Sequence, residues 1–137
     1  MATLHLEILT PENRVYSEEV NSVTFPEAEM GEVSILPGHI PLMTMTVPGE
    51  LKVRKGSETI ELAVGEGFVE VTGDRVTVLT DMAIKFEQID EEQVEAALAR
   101  AQKALAEKPA SKAEVEALEG LIEKSIAQLN LKRKPKR

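Results

Sequence analysis

The sequence predicts a β-then-α fold: an N-terminal antiparallel β-sandwich of about ten short strands, followed by a C-terminal antiparallel α-helical hairpin. Three observations predict it. Apolar and polar residues alternate in short runs from residue 3 to about residue 86. At Ile89 the apolar period changes from two to three or four. Lys108-Pro109-Ala110 then divides the helical part in two. These boundaries give a β unit over 1–87 and a helical unit over 88–137.

Thr3-Leu4-His5-Leu6-Glu7-Ile8-Leu9 alternates cleanly, and Thr10-Pro11-Glu12-Asn13 turns the chain. Val15 to Phe25 gives two extended pieces, closed by Pro26. Leu42 to Val47 forms a strand stopped by Pro48-Gly49. Glu50 to Arg54 follows, and Lys55-Gly56-Ser57 leads into the alternating run Glu58 to Val64. Gly65-Glu66-Gly67 is a turn or a bulge. Phe68 to Thr72 and Arg75 to Thr80 flank Gly73-Asp74, a strong hairpin signal. One apolar face per strand lets two sheets bury those faces against each other.

In the helical unit, Val94, Ala97, Leu98, Ala101 and Leu105 form one stripe, with Asp90, Glu91 and Glu92 placed to favour the positive end of the helix dipole. Ser111 and Glu114 have capping-box spacing for the second helix. Its stripe is Val115, Leu118, Ile122, Ser125 and Leu129, and Gly120 interrupts it at a cost of about 1 kcal/mol relative to Ala. The alanine-rich seam buries little apolar area, so the hairpin is held only modestly and can undock, as a bistable element must. Lys132 to Arg137 reads as a basic, frayed, solvated tail.

The composition narrows the function. The chain has 137 residues, 24 acidic and 16 basic side chains and a formal net charge of -8. With three Phe, one Tyr and no Trp, it offers little for stacking bases, and its charge opposes nucleic acid. The absence of cysteine excludes disulfides and thiolate metal sites and fits a reducing compartment. No apolar run approaches the ~20 residues a membrane helix needs. The N-terminal residues enter a strand pattern at once, without the blocks of a secretory leader. His5 and His39 lack metal-ligand spacing, so no metal site is expected. Gly65-Glu66-Gly67 has no following Lys-Ser/Thr to make a phosphate loop. No serine has a convincing histidine and orienting acid beside it.

The segment Gly31-Glu32-Val33-Ser34-Ile35-Leu36-Pro37-Gly38-His39-Ile40-Pro41-Leu42 is the most distinctive. Its prolines push Leu36 and Ile40 to extended geometry, and Gly38 permits the turn between them. Pro37, Gly38, His39 and Pro41 therefore read as a rigid structural corner, with His39 a hydrogen-bonded turn residue. This string closely resembles the signature of the epsilon subunit of the F-type ATP synthase. Thr10-Pro11, Gly67-Phe68-Val69-Glu70-Val71, Val76-Thr77-Val78-Leu79-Thr80-Asp81 and Ile126-Ala127-Gln128-Leu129 are similar to further family segments in the same order. Glu66 departs from the pattern by replacing a glycine. The resemblance covers the whole chain.

The resemblance implies a non-catalytic rotor subunit whose sandwich binds the gamma subunit along one side and rests on the ring of membrane c subunits. Glu29, Met30, Gly31 and Glu32 resemble the ring-facing end, with the Leu36 to Pro41 corner expected beside it. It also implies a hairpin that inhibits ATP hydrolysis when extended along gamma toward the alpha and beta subunits. An opened hairpin of two helices could reach ~50–60 Å. Lys132, Arg133, Lys134, Lys136 and Arg137 would then pair with acidic residues of those subunits. Some family members bind ATP at the folded hairpin. Here Asp90, Arg100 and Lys124 leave at most a weak site, because Gln93 and Gln128 stand where binders carry arginines, and glutamine offers no charge to phosphate. No cofactor is therefore expected. The place implied is the cytoplasmic face of a bacterial plasma membrane, with the stromal face of a plastid thylakoid as the alternative. The competing readings are a free-standing adaptor or ligand-binding sandwich, and, more remotely, a small hydrolase. The sequence leaves open whether the hairpin rests folded or extended.

Overall fold

A computed structural model describes residues 2–109 and 111–134. Among them the chain forms ten strands: β1 (Leu4–Leu9), β2 (Arg14–Val20), β3 (Ser22–Glu27), β4 (Gly31–Ile35), β5 (Leu42–Thr46), β6 (Gly49–Lys55), β7 (Glu58–Val64), β8 (Gly67–Thr72), β9 (Arg75–Thr80) and β10 (Ala83–Lys85). A 3₁₀ turn, Phe86–Gln88, leads to α1 (Glu91–Ala106) and α2 (Lys112–Lys132).

The hydrogen-bonded order is β10-β7-β6-β3-β5-β8-β9-β1-β2, with β4 on the other side of β3. The link between β3 and β5 is a single residue pair, Glu27 with Thr46. The sheet therefore folds there into two layers, β10-β7-β6-β3-β4 and β5-β8-β9-β1-β2. Alternation places Leu4, Leu6, Ile8, Val23, Phe25, Ile35, Leu51 and Val53 between the layers, all fully buried. Pairing is antiparallel except for β1 with β9, which run parallel.

Pro26 does not close a strand as its type suggests; it lies inside β3. Its carbonyl accepts from the Val47 N–H at 3.1 Å and the Thr46 hydroxyl at 2.8 Å. The carbonyl and the nitrogen of a strand residue point to the same side, so the missing donor faces the fold between layers, where the ladder is already down to one pair. Gly65-Glu66 is a bend whose backbone bonds across to Met82 and Asp81, at 2.9 and 3.1 Å, and Gly67 opens β8 with its backbone against Leu79 and Thr80, where a Cβ would strike the Leu79 carbonyl.

The helices start where the residues allow. Asp90 caps α1, its carboxylate accepting from the Gln93 N–H at 3.2 Å. Ser111 caps α2, accepting from the Glu114 N–H at 3.1 Å. The hairpin is folded down. Leu129 and Leu131 of α2 pack with Val94 of α1, with Ile89 and with Ala63 of β7, and Met82, Ile84 and Phe86 border this second core.

Two glycine replacements should move stability in opposite directions. Gly67→Ala is expected to cost roughly 1–3 kcal/mol by overpacking against β9. Gly120→Ala, where nothing lies within 4 Å of the added methyl, should gain about 1 kcal/mol. Urea denaturation of the two variants reads both, and the same sign for both would contradict this packing.

Candidate functional site

The turn joining β3 to β4 carries Glu29 and Met30, and Gly31 and Glu32 follow as the first two residues of β4. Gly31 sits at φ 82, a backbone that an L side chain rarely adopts. The buried carboxylate of Glu27 accepts from the Glu29 N–H at 2.7 Å and fixes the turn from within. Glu29 and Glu32 are exposed, and Met30 is 73% exposed. The four residues are thus presented together on a braced turn.

The corner is built as its residues dictate. Pro37 and Gly38 (φ 81) form a type II turn in which the His39 N–H donates to the Leu36 carbonyl at 3.1 Å. The His39 Nδ1–H donates to the Ile40 carbonyl at 2.7 Å, and the Gly38 N–H reaches the Asp74 carboxylate at 3.4 Å. The corner is not beside the Glu29 turn. The two lie at opposite ends of the five-residue strand β4, about 16 Å apart, because an extended strand separates what it joins.

Asp90, Arg100 and Lys124 are not gathered into one site. Asp90 is the α1 cap, and Arg100 lies about 15 Å further along that helix on its exposed side. Lys124 on α2 turns to the sandwich, with Nζ 3.4 Å from the Asp81 carboxylate.

The basic end of α2 is not the frayed, solvated tail its composition suggests. α2 continues through Lys132, whose Nζ donates to the Phe86 carbonyl at 3.0 Å and stands 4.2 Å from the centre of the Phe86 ring. Arg133 pairs with Glu91 at 2.8 Å and with Glu95. Lys134 pairs with Glu50 at 2.6 Å and Glu61 at 3.3 Å. Acidic groups from the first turns of α1 and from the outer face of β6 and β7 converge on this end, which orders it. Burial resists ionisation of Glu50, but hydrogen bonds with Glu61 and Lys134 outweigh it and hold this carboxyl below its ordinary value. The hydrogen bond with Glu50, together with burial, raises Glu61. The ammonium of Lys134 is raised, chiefly by its hydrogen bond to Glu50. Lys136 and Arg137 lie outside the described residues.

Two groupings escaped sequence reasoning. On β1 and β2, Ser17 Oγ lies 3.3 Å from His5 Nε2, and His5 Nδ1 lies 2.7 Å from a Glu19 carboxylate that also accepts from Thr3. Cross-strand pairing makes this serine–histidine–acid line, and the hydrogen bond from His5 depresses the Glu19 carboxyl. It lies on the outward face of the sheet with Glu19 60% exposed. Catalysis by such a line needs a shielded, preorganised site, and this one is open to solvent. It is a polar cross-strand network.

The second grouping is apolar. Met43 and Met45 of β5, Phe68 of β8 and Leu79 of β9 all point outward and are exposed. Met45 pairs with Phe68, and Phe68 with Leu79, so the side chains form a strip across three strands. An open cleft beside it is lined by Leu9, Pro11, Met45, Phe68, Leu79 and Asp81, among others. The signal was available in the alternation: the outward positions of these strands include Met43, Met45, Phe68 and Leu79 beside the polar Glu70 and Thr77, whereas β7 carries Thr59, Glu61 and the small Ala63 outward.

A β-sandwich with a docked helical hairpin and an unpartnered apolar sheet face defines a subunit built to sit within an assembly. Residues 3–86 match the family model described as ATP synthase, Delta/Epsilon chain, beta-sandwich domain. An ATP synthase epsilon chain of Dehalococcoides mccartyi is 48% identical over 108 residues, covering 79% of this chain and 76% of the relative. That of Laribacter hongkongensis is 38% identical over 131 residues, covering 94% and 92%. A chain of the Euglena gracilis mitochondrial ATP synthase structure containing OSCP, F1 and the c-ring superposes with a TM-score of 0.71 at 25% identity, over 90% of this chain and 77% of that one. The chain belongs to the ATP synthase epsilon chain family, a non-catalytic subunit of that enzyme. Among the described residues no helix is long and apolar enough to cross a membrane.

Because its candidate ligands do not converge, titration calorimetry of ATP into the full chain is expected to show no binding at millimolar concentration. A clear isotherm in that range would restore the ATP site.

Proposed function

We propose that this chain couples the c-ring to the gamma subunit and the catalytic head, and that its helices restrain ATP hydrolysis. In this reading the sandwich, residues 1–87, bears torque and the hairpin, residues 88–137, regulates. The observation that carries it is the division of the two outer sheet faces. The β6–β7 face is occupied by the hairpin, whereas the β5–β8–β9 face keeps its apolar strip open. An apolar strip on a closed two-layer sheet suits a lasting interface with a stiff partner, and gamma is the partner the family supplies. The braced Glu29 to Glu32 turn suits contact with the polar loops of the c-ring. The extended hairpin would bring Lys132, Arg133, Lys134, Lys136 and Arg137 to acidic residues of alpha and beta. ATP is not a required ligand, and the cytoplasmic face of a bacterial plasma membrane is the corresponding location.

Phe68→Glu places a charge in the middle of the strip without touching the core. It should weaken association with gamma on the order of 30-fold while leaving the denaturation midpoint nearly unchanged. Undiminished co-purification with gamma would remove the strip from that interface. A cysteine replacing Glu32 should cross-link to one placed on the polar loop of the ring subunit. A cross-link from position 39 and none from position 32 would assign the ring to the other end of the sandwich.

A further inference from the structure

The carboxylates of Glu50 and Glu61 come from adjacent strands, β6 and β7, and converge on Lys134. Two neighbouring carboxylates on one sheet face repel each other when both are ionised, and a cation between them relieves that repulsion. Lys52 approaches Glu50 only to 3.9 Å, whereas Lys134 is 2.6 Å away and spans both. Lys134 and its two acids are each about three-quarters shielded, with side-chain exposures of 22%, 24% and 30%, so salt screens them less than a fully exposed pair. One residue earlier, Arg133 ties the end of α2 to the start of α1.

We propose that the Glu50–Glu61 pair is a receptor for the basic end of α2, a latch that biases the hairpin toward its docked state. The cations that the proposed extended state directs at the catalytic subunits are occupied here by the sandwich. The latch and those subunits then compete for the same charges. Release is favoured wherever a denser acidic surface is offered, and a ligand shifts such an equilibrium only by its differential affinity for the two states.

Truncating the tail cannot test this, because it removes the charges from both destinations. Glu50→Gln combined with Glu61→Gln removes the receptor and leaves the tail intact. Docking can be read with Ala63→Cys in this cysteine-free chain, since Ala63 is 0% exposed beneath Leu129 and Leu131. Its alkylation rate in the full chain reports the undocked fraction however small that fraction is. The receptor variant should be alkylated several-fold faster than the same chain with both glutamates, and raising salt from 50 mM to 1 M should narrow the difference. A control with Val78→Cys, inside the sandwich, should react at one rate in both backgrounds. Equal rates at position 63 overturn the latch, as does a rise at position 78 matching that at position 63, which would mean global loosening. The regulatory consequence rests on the proposed inhibitory role and is read separately, as hydrolysis by the assembled enzyme carrying the receptor variant. Faster alkylation with unchanged hydrolysis would keep the latch and overturn the inhibitory role.

Discussion

The arrangement of the whole chain depends on the C-terminal end of β7, residues 62–64, being buried on both faces. Leu62 and Val64 point into the sandwich, and Ala63 between them points out, yet all three are fully buried. In a two-layer sandwich with one face in water, every second residue should be wet. Here the outward position is covered by Leu129 and Leu131 of α2. The small Ala63 lets the helix sit close to the sheet. Glu50 and Glu61, beside it on the same outward face, rim the contact with charge. The hairpin is thereby an outer layer of the protein, and the other face of the sandwich is left as the open one.

Most of the fold was legible because its elements are set by local pattern. Alternation gave the strands, the change of period at Ile89 gave the helices, and Ser111 caps where expected, whereas Asp90, read as a first-turn acid, is the cap of α1. The failures concern partners distant in sequence. Pro26 reads as a strand breaker until β5 shows that its side of β3 needs almost no donor. The run Glu58 to Val64 was read as simple alternation. Ala63 is the one outward apolar residue that announces the docked hairpin, and it is too small to stand out.

The candidate site was legible in the same uneven way. The Glu29 to Glu32 turn and the Leu36 to Pro41 corner are each set by residues close in sequence. Their separation by the length of β4 follows only once the segment between them is seen to be extended. The apolar strip was written in the sequence as Met43, Met45, Phe68 and Leu79, but its continuity depends on β5, β8 and β9 being neighbours. The basic end of α2 was misjudged because its partners, Glu50, Glu61, Glu91 and Glu95, lie roughly 40 to 80 positions away, and no local rule pairs charges over that span.

Magnitudes decide what each contact at the hairpin contributes. Burying a leucine contributes about 1.5–3 kcal/mol, so Leu129 and Leu131 alone account for several kcal/mol that opening would forfeit. An ion pair near the surface contributes about 0–1 kcal/mol. The apolar contact therefore sets how rarely the hairpin opens, and the charges adjust that rarity. Opening also uncovers Ala63, Ile89 and Val94. An extended state becomes well populated only if a partner covers the freed face of the helices, so the isolated chain should stay docked and extension should belong to the assembled enzyme. The charges then have a different task. Exchanging one set of acidic partners for another costs little net free energy, so the latch weighs against extension in the isolated chain and ceases to do so where a partner offers equivalent acidic groups, leaving the leucines to set the balance.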